Sequence, residues 1–317
     1  MMAYDLNLLA QKVGLKLAQT EGLLVLFDQG INNRQLSTTT GLAKSILDDF
    51  REEIKPYLLP SSEMTSLNSR GRQWLEKISP RPFNWQRPFF GEIPKDLDTI
   101  FSRYENWRKR ANRRLDQFRA TKETVWRRAA LMKERGDLLG RRLLFLGDAD
   151  WTGVAAAYLD QAKRIFILDT DQSVLDDLAV INQKNSFKIE ILKHDLARPL
   201  PNHLLNSFDV VFSDPPYTDN GVGLFLSRSI EALDKRPASK IYFCYGQSDR
   251  VREKSLKIQT LIGGLGLLIE ECRPDFNRYH GAVSIGSSSA LYINSITGQT
   301  KSAPVGYFKK SIYTWQK

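Results

Sequence analysis

Residues 141–171 read RRLLFLGDADWTGVAAAYLDQAKRIFILDTD. Two short β-rich runs, RRLLFLG and RIFILD, each end in a glycine or an acid, and an alanine-rich stretch lies between them. Continuous apolar runs bounded in this way suit strands buried on both faces, and the stretch between them suits a helix that carries the chain back. That is one βαβ step, and it sets the fold of everything downstream. The pattern recurs in FKIEILKHD, FDVVFSD, KIYFC, LGLLIEEC and SSSALYI. Seven such strands predict an α/β, Rossmann-like, doubly wound parallel sheet of the methyltransferase type, with ligand groups outside the carboxyl ends of the strands.

Upstream of Gly136 the text is different. Residues 6–18 (LNLLAQKVGLKLA) space apolar side chains at three and four, which predicts a helix, and two short helices and a turn are expected before the next one. TTTGLAKSILDDFREEI offers a Ser/Thr-rich entry into an amphipathic helix with Leu42, Ile46, Leu47, Phe50 and Ile54 on one side. Two short extended pieces, YLLP and EMTSL, and a third helix, SRGRQWLEKI, follow. This is the order of a winged helix-turn-helix, placed at residues 1–78, which serves nucleic-acid binding in some proteins and packing or dimerisation in others. Residues 79–95 are dense in proline and aromatics and predict an ordered linker. With the basic helical segment that follows, the linker fills residues 79–135, leaving 136–317 for the catalytic domain.

Composition bounds the function. A chain of 317 residues is about twice the commonest domain length, and no stretch approaches the ~18 uninterrupted apolar residues of a membrane helix. The amino-terminal MMAYDLNLLAQK lacks the pattern of a secretory signal. Two cysteines, Cys244 and Cys272, and three histidines give no CxxC pair, so neither a disulfide framework nor a metal site is expected, and a cytoplasmic location is. The net charge is +10. Between Arg103 and Arg135 stand twelve basic residues and four acidic ones, so most of the excess sits in one segment. Its apolar positions recur near helical spacing, which makes a solvated face on a buried helix the favoured reading over phosphate contact.

The chemistry sits at the strand ends. Gly147-Asp148-Ala149-Asp150 follows the first strand, where the glycine lets the backbone approach a ligand and the two acids are expected to face the cleft. Asp169 closes the second, with Asp171 two residues on, the position from which a carboxylate takes the hydroxyls of a ribose. His194-Asp195-Leu196 follows the third, placed for an adenine edge. Asp214-Pro215-Pro216-Tyr217 follows the fourth. Two prolines lock that backbone, so the Asp214 carboxylate and carbonyl can converge on one amine beside Tyr217. Enzymes that alkylate amines from a sulfonium donor use this pattern, because the nitrogen must be held in line and its proton accepted. The first loop departs from the glycine-rich form common in methyltransferases. Asp148 and Asp150 would repel the carboxylate of S-adenosylmethionine, whereas decarboxylated S-adenosylmethionine ends in an ammonium and a polyamine is a chain of them.

These residues resemble the branched-chain polyamine synthases, the N4-bis(aminopropyl)spermidine synthases. The likeness runs through RGDLLGRRLLFLGDAD, FILDTDQSVLDDL, HDLARPLP, FDVVFSDPPYTDNGVGLFLSRSIEAL and RPDFNRYHGAVSIGSSSALY, five motifs in order over most of residues 135–293. The resemblance implies an aminopropyltransferase that moves the aminopropyl group of decarboxylated S-adenosylmethionine onto spermidine N4 and releases methylthioadenosine. Asp150, Asp214 and Tyr217 are then the catalytic residues. Gly147, Asp148, Asp169, Asp171, Asp195 and Leu196 bind the co-substrate, and Asp148, Asp150 and Asp214 to Tyr217 bind the amine. The family's Gly-Asp-Asp-Asp loop falls on Gly147 to Asp150, so its middle acid is Ala149 here. That loss bears on polycation binding and on which amine is accepted. No tightly bound cofactor is expected, the partner is a polyamine, and the assembly expected is a homodimer. Two rival readings remain: an S-adenosylmethionine-dependent amino-methyltransferase acting on nucleic acid or protein, and a non-catalytic binding protein on an enzyme fold.

Overall fold

The computed structural model describes residues 5–33, 36, 40, 42, 44–61, 63–83, 91–108, 112–246, 252–280, 288–303 and 306–314. The Ser/Thr-rich entry at 37–39, most of the aromatic run at 84–90, Lys109 and Arg110, and residues 281–287 of the fifth motif lie outside them. Two compact units form, one from residues 1–89 and 131–139, the other from residues 90–130 and 140–317.

The first unit contains α1 (Leu6–Lys12), α2 (Leu17–Gln29), β1 (Ile31–Asn32), α3 (Lys44–Glu53), β2 (Met64–Thr65) and α4 (Ser69–Ile78). The helix expected over 6–18 is two helices. Gly14 adopts φ of +69°, which a helix cannot hold, and its N–H bonds back to the Gln11 carbonyl to close α1. The chain restarts at Leu17 and runs for 13 residues, longer than the short helices expected there. Leu9, Leu23, Phe27, Phe50, Ile54 and Trp74 form the core, with the Phe27 and Phe50 rings edge to face at 5.7 Å. β1 and β2 pair antiparallel, a Leu58–Leu67 bridge extends the pairing, and Asn68 caps α4 by accepting from Gly71 N at 2.9 Å.

The second unit opens with α5 (Lys95–Arg103), α6 (Glu105–Arg108), β3 (Arg119–Ala120) and α7 (Lys122–Glu134), of which residues 131–134 belong to the first unit. The alternating part follows as β4 (Arg142–Leu146), α8 (Thr152–Tyr158), β5 (Arg164–Asp169), α9 (Gln172–Lys184), β6 (Ile189–Lys193), β7 (Val210–Ser213), α10 (Asp219–Ala232), β8 (Lys240–Tyr245), α11 (Arg252–Gly264), β9 (Leu267–His280) and β10 (Ser288–Ile296). All seven expected strands form, but the sheet is mixed and eight-stranded, in the order β3-β9-β10-β8-β7-β4-β5-β6. The run β8-β7-β4-β5-β6 is parallel, while β10, β9 and β3 add antiparallel. The physical reason is chain length. A parallel neighbour needs a crossover of a dozen or more residues, and β9 and β10 are joined by fewer. The eighth strand comes from the basic segment, which is thus not helical throughout. Buried Leu144, Leu146, Phe166, Leu168, Val211 and Phe243 fill the space between sheet and helices. The chain leaves β4 toward β5 and β6 on one side and returns through β7 and β8 on the other. The crevice where the order reverses therefore lies at the carboxyl ends of β4 and β7.

Candidate active site

Gly147 turns the chain out of β4 with φ of +72°, and its N–H donates to the Leu168 carbonyl at 2.7 Å. The next carboxylate points inward. Asp148 Oδ1 accepts from Thr152 N at 2.7 Å and Oδ2 from Gly153 N at 2.8 Å, so both oxygens fasten the start of α8. At 2% exposure Asp148 lines the cleft, as Asp150 does, with both of its oxygens engaged by backbone N–H groups. Burial pushes its carboxyl well above the usual range, and the helix N–H groups pull it back.

Asp150 and Asp214 are joined by one side chain that the motifs did not include. Arg128, on α7 and 0% exposed, donates through Nη1 to Asp150 Oδ2 at 2.9 Å and through Nη2 to Asp214 Oδ2 at 2.7 Å. Its Nε donates to Asn277 Oδ1 at 2.8 Å, and its plane lies over the Phe212 ring at 5.1 Å. Tyr279 donates its hydroxyl to the same Asp214 oxygen at 2.7 Å, and Asp150 Oδ1 accepts from Ala120 N at 2.7 Å. Asp150 is thus spent on β3 and Arg128, whereas Asp214 Oδ1 has no partner among the described residues. Burial raises the Asp214 carboxyl, with Arg128 as the main opposing influence. The Tyr217 hydroxyl is buried and also without a partner, and its ring lies 6.3 Å from Phe118 and 6.0 Å from Tyr245. Pro216 lines the cleft with Tyr217; Pro215 is buried in the turn and does not.

On the β5 side, Asp169 accepts from Asp148 N at 3.1 Å and Asp171 N at 2.9 Å, and burial raises its carboxyl. It lines the cleft. Asp171 instead caps α9 by accepting from Ser173 N at 3.0 Å, and Asp195 closes a turn by accepting from Ala197 N at 2.9 Å. Neither is among the lining residues, while the neighbouring His194 and Leu196 are. His194 Nε2 is buried and, among the described residues, unpartnered, and burial lowers the imidazole below its ordinary value, which favours the neutral ring. The cleft encloses about 1150 Å³, its open mouth included.

The carboxyl-terminal stretch contributes to the wall as well. Ile312 and Tyr313 line the cleft, held by Thr218 Oγ1 donating to the Ile312 carbonyl at 2.6 Å and by Thr314 N donating to Asp116 Oδ2 at 2.8 Å. Sequence reasoning assigned no role to Arg128, Tyr279 or Asn277. A signal for Arg128 was present: it falls among Val125, Trp126, Ala129, Leu131 and Met132, so a buried stripe carries a guanidinium, which demands partners. Tyr279 and Asn277 stood inside the fifth motif. Among the described residues no group of three His, Cys, Asp or Glu could hold a metal, and no helix is long and apolar enough to cross a membrane.

Residues 96–313 match the family model described as the branched-chain polyamine synthase A C-terminal domain. The chain is 40% identical over 221 residues to an uncharacterized protein of Methanocaldococcus jannaschii, covering 69% of this chain and 55% of that one. It is 35% identical over 166 residues to the N(4)-bis(aminopropyl)spermidine synthase of Thermococcus kodakarensis, covering 52% and 47%. The chain spans about half the length of the curated relatives it matches. The crystal structure of the branched-chain polyamine synthase of Thermus thermophilus, in complex with N4-aminopropylspermidine and 5'-methylthioadenosine, superposes with a TM-score of 0.63 at 20% identity, covering 99% of this chain and 98% of that one.

Proposed function

The chain belongs to the branched-chain polyamine synthase family, and from that premise we propose that it transfers an aminopropyl group from decarboxylated S-adenosylmethionine to an amine. The observation that carries this reading is the convergence of Asp150 and Asp214 on one guanidinium at the sheet's reversal point, with a free Asp214 oxygen and a free Tyr217 hydroxyl beside them. A Thermus relative bound to an aminopropylated spermidine and to 5'-methylthioadenosine supports the choice of donor and of a polyamine acceptor.

The acceptor nitrogen attacks the aminopropyl carbon next to sulfur. A carbon–nitrogen bond forms, the carbon–sulfur bond breaks, and its electron pair leaves on methylthioadenosine. A protonated amine has no lone pair, so a base must take the proton; Asp214 Oδ1 has the open position, and Asp150 completes the negative field. Arg128 stays in place and opposes the burial that would neutralise Asp214. Addition of a second group to a tertiary nitrogen releases no proton, and there the carboxylates act by charge alone. On the donor, His194 and Leu196 meet the adenine and Asp169 the ribose.

Within the same proposal, the first unit is a winged-helix module and the enzyme is a homodimer. The helices flanking the β1–β2 pair support the former. Incubation with decarboxylated S-adenosylmethionine and spermidine tests the reading: release of methylthioadenosine with aminopropylated amine is expected, and no methylthioadenosine with any amine tried would refute it.

A further inference from the structure

Arg119 belongs to the basic segment and lines the cleft, yet neither the fold nor the proposed chemistry uses its guanidinium. It stands on β3, opposite His280 of β9. Its Nε and Nη1 are buried without a hydrogen-bond partner, and Arg119 forms no ion pair among the described residues. The stretch that carries it is pinned on both sides: Ala120 N donates to Asp150, and Asp116 accepts from Thr314. The backbone that carries Arg119 is thus anchored beside the cleft.

An unpaired, largely desolvated guanidinium is costly, and the wall does not relieve it. The acids that line the cleft have other partners, except that Asp214 keeps one oxygen open, which the proposed transfer uses as its base. Asp116 serves Thr314, Asp148 the start of α8, Asp169 two backbone N–H groups, and Asp150 is held by Arg128 and Ala120. Arg128 also neutralises part of the charge that a polycation would seek, and Ala149, between Asp148 and Asp150, supplies none. A ligand made only of ammoniums leaves Arg119 as it is. One that brings an anion satisfies it.

We propose that the cleft contains an anion subsite at Arg119 that takes a carboxylate of the bound substrate, a group whose planar pair of oxygens matches a guanidinium. The carboxylate comes with the acceptor, an amino-acid-like amine, because the donor of the proposed transfer has none. The inference rests on the reading of this cleft as the group-transfer site and narrows its substrate class.

A matched pair tests it by titration calorimetry: putrescine against ornithine, which differ by one carboxylate. The wild-type protein is expected to prefer ornithine by roughly tenfold or more, the usual scale of a charge-assisted contact. Arg119→Gln is expected to reduce that preference to about twofold or less, while Arg119→Lys, which keeps the charge, retains part of it. The proposal is overturned if wild type does not prefer ornithine, a result that needs no variant, or if the preference survives intact in Arg119→Gln. Methylthioadenosine release, measured separately, reports on aminopropyl transfer, so failure of the subsite and failure of the transfer reading are distinguishable.

Discussion

Asp214 and Asp150 share Arg128 but divide the remaining work. Asp150 has both oxygens engaged, and Asp214 keeps Oδ1 open. Asp214→Asn removes the base and a charge while keeping the shape, so turnover is expected to fall by roughly 10² to 10⁴, the span for a positioned acid-base group. Asp150→Asn is expected to fall within the same span, with donor binding little changed. Calorimetry alongside steady-state rates would separate the two effects, and near wild-type turnover in both variants would remove the catalytic assignment. Acidity gives a second readout. The base acts ionised, and burial raises Asp214 above the ordinary aspartate value of about 3.9. The acidic limb of kcat/KM should therefore lie above that value, with activity lost as pH falls through it. Arg128→Gln removes the main opposing cation and should move the limb higher still; an unmoved limb would contradict the role given to Arg128. Restoring the missing family acid with Ala149→Asp should tighten spermidine binding, measured by the same titration.

At the scale of elements, α8 depends on a close approach that admits no side chain. A Cβ on Gly153 would stand 2.8 Å from Asp148 Oδ2 and 2.8 Å from Ile167 Cδ1. Gly153→Ala is expected to cost about 1–3 kcal/mol, the range for overpacking a core, and to loosen methylthioadenosine through the displaced loop. Thermal melting and ligand titration check both effects. The loop also shows where the sequence was legible and where it was not. Strand ends are written locally, in apolar runs closed by Gly147, Asp169, Asp195 and Asp214, so the crevice and its acids could be placed from sequence alone. Which way a carboxylate turns is decided by neighbouring backbone: Asp148, Asp171 and Asp195 were read as ligand groups, yet their oxygens satisfy N–H groups at turns and helix starts. The basic segment was ambiguous for the opposite reason. Its charge count is visible, but one arginine pairs inside the fold and another lines the cleft, and only tertiary packing separates these from exposed Arg103 and Arg114. Replacing those two exposed residues by Gln should leave turnover of a small amine within about twofold.

For the molecule as a whole, a net charge of +10 coexists with a cleft built around acids, two of which, Asp150 and Asp214, share the single guanidinium of Arg128. The sheet order joins residues distant in sequence: Arg128, Asp150, Asp214 and Tyr279 meet although Arg128 and Tyr279 are separated by 151 positions. The antiparallel edge that delivers Tyr279 was hidden in the sequence because strand runs do not declare their direction; the short β9–β10 connection does. The central claim is that this cleft performs aminopropyl transfer. Its most direct test is mass spectrometry of the full chain's products after incubation with spermidine and either decarboxylated S-adenosylmethionine or S-adenosylmethionine. The account predicts methylthioadenosine in step with aminopropylated amine from the first donor. Adenosylhomocysteine with methylated amine from the second, or no product from either, would contradict it.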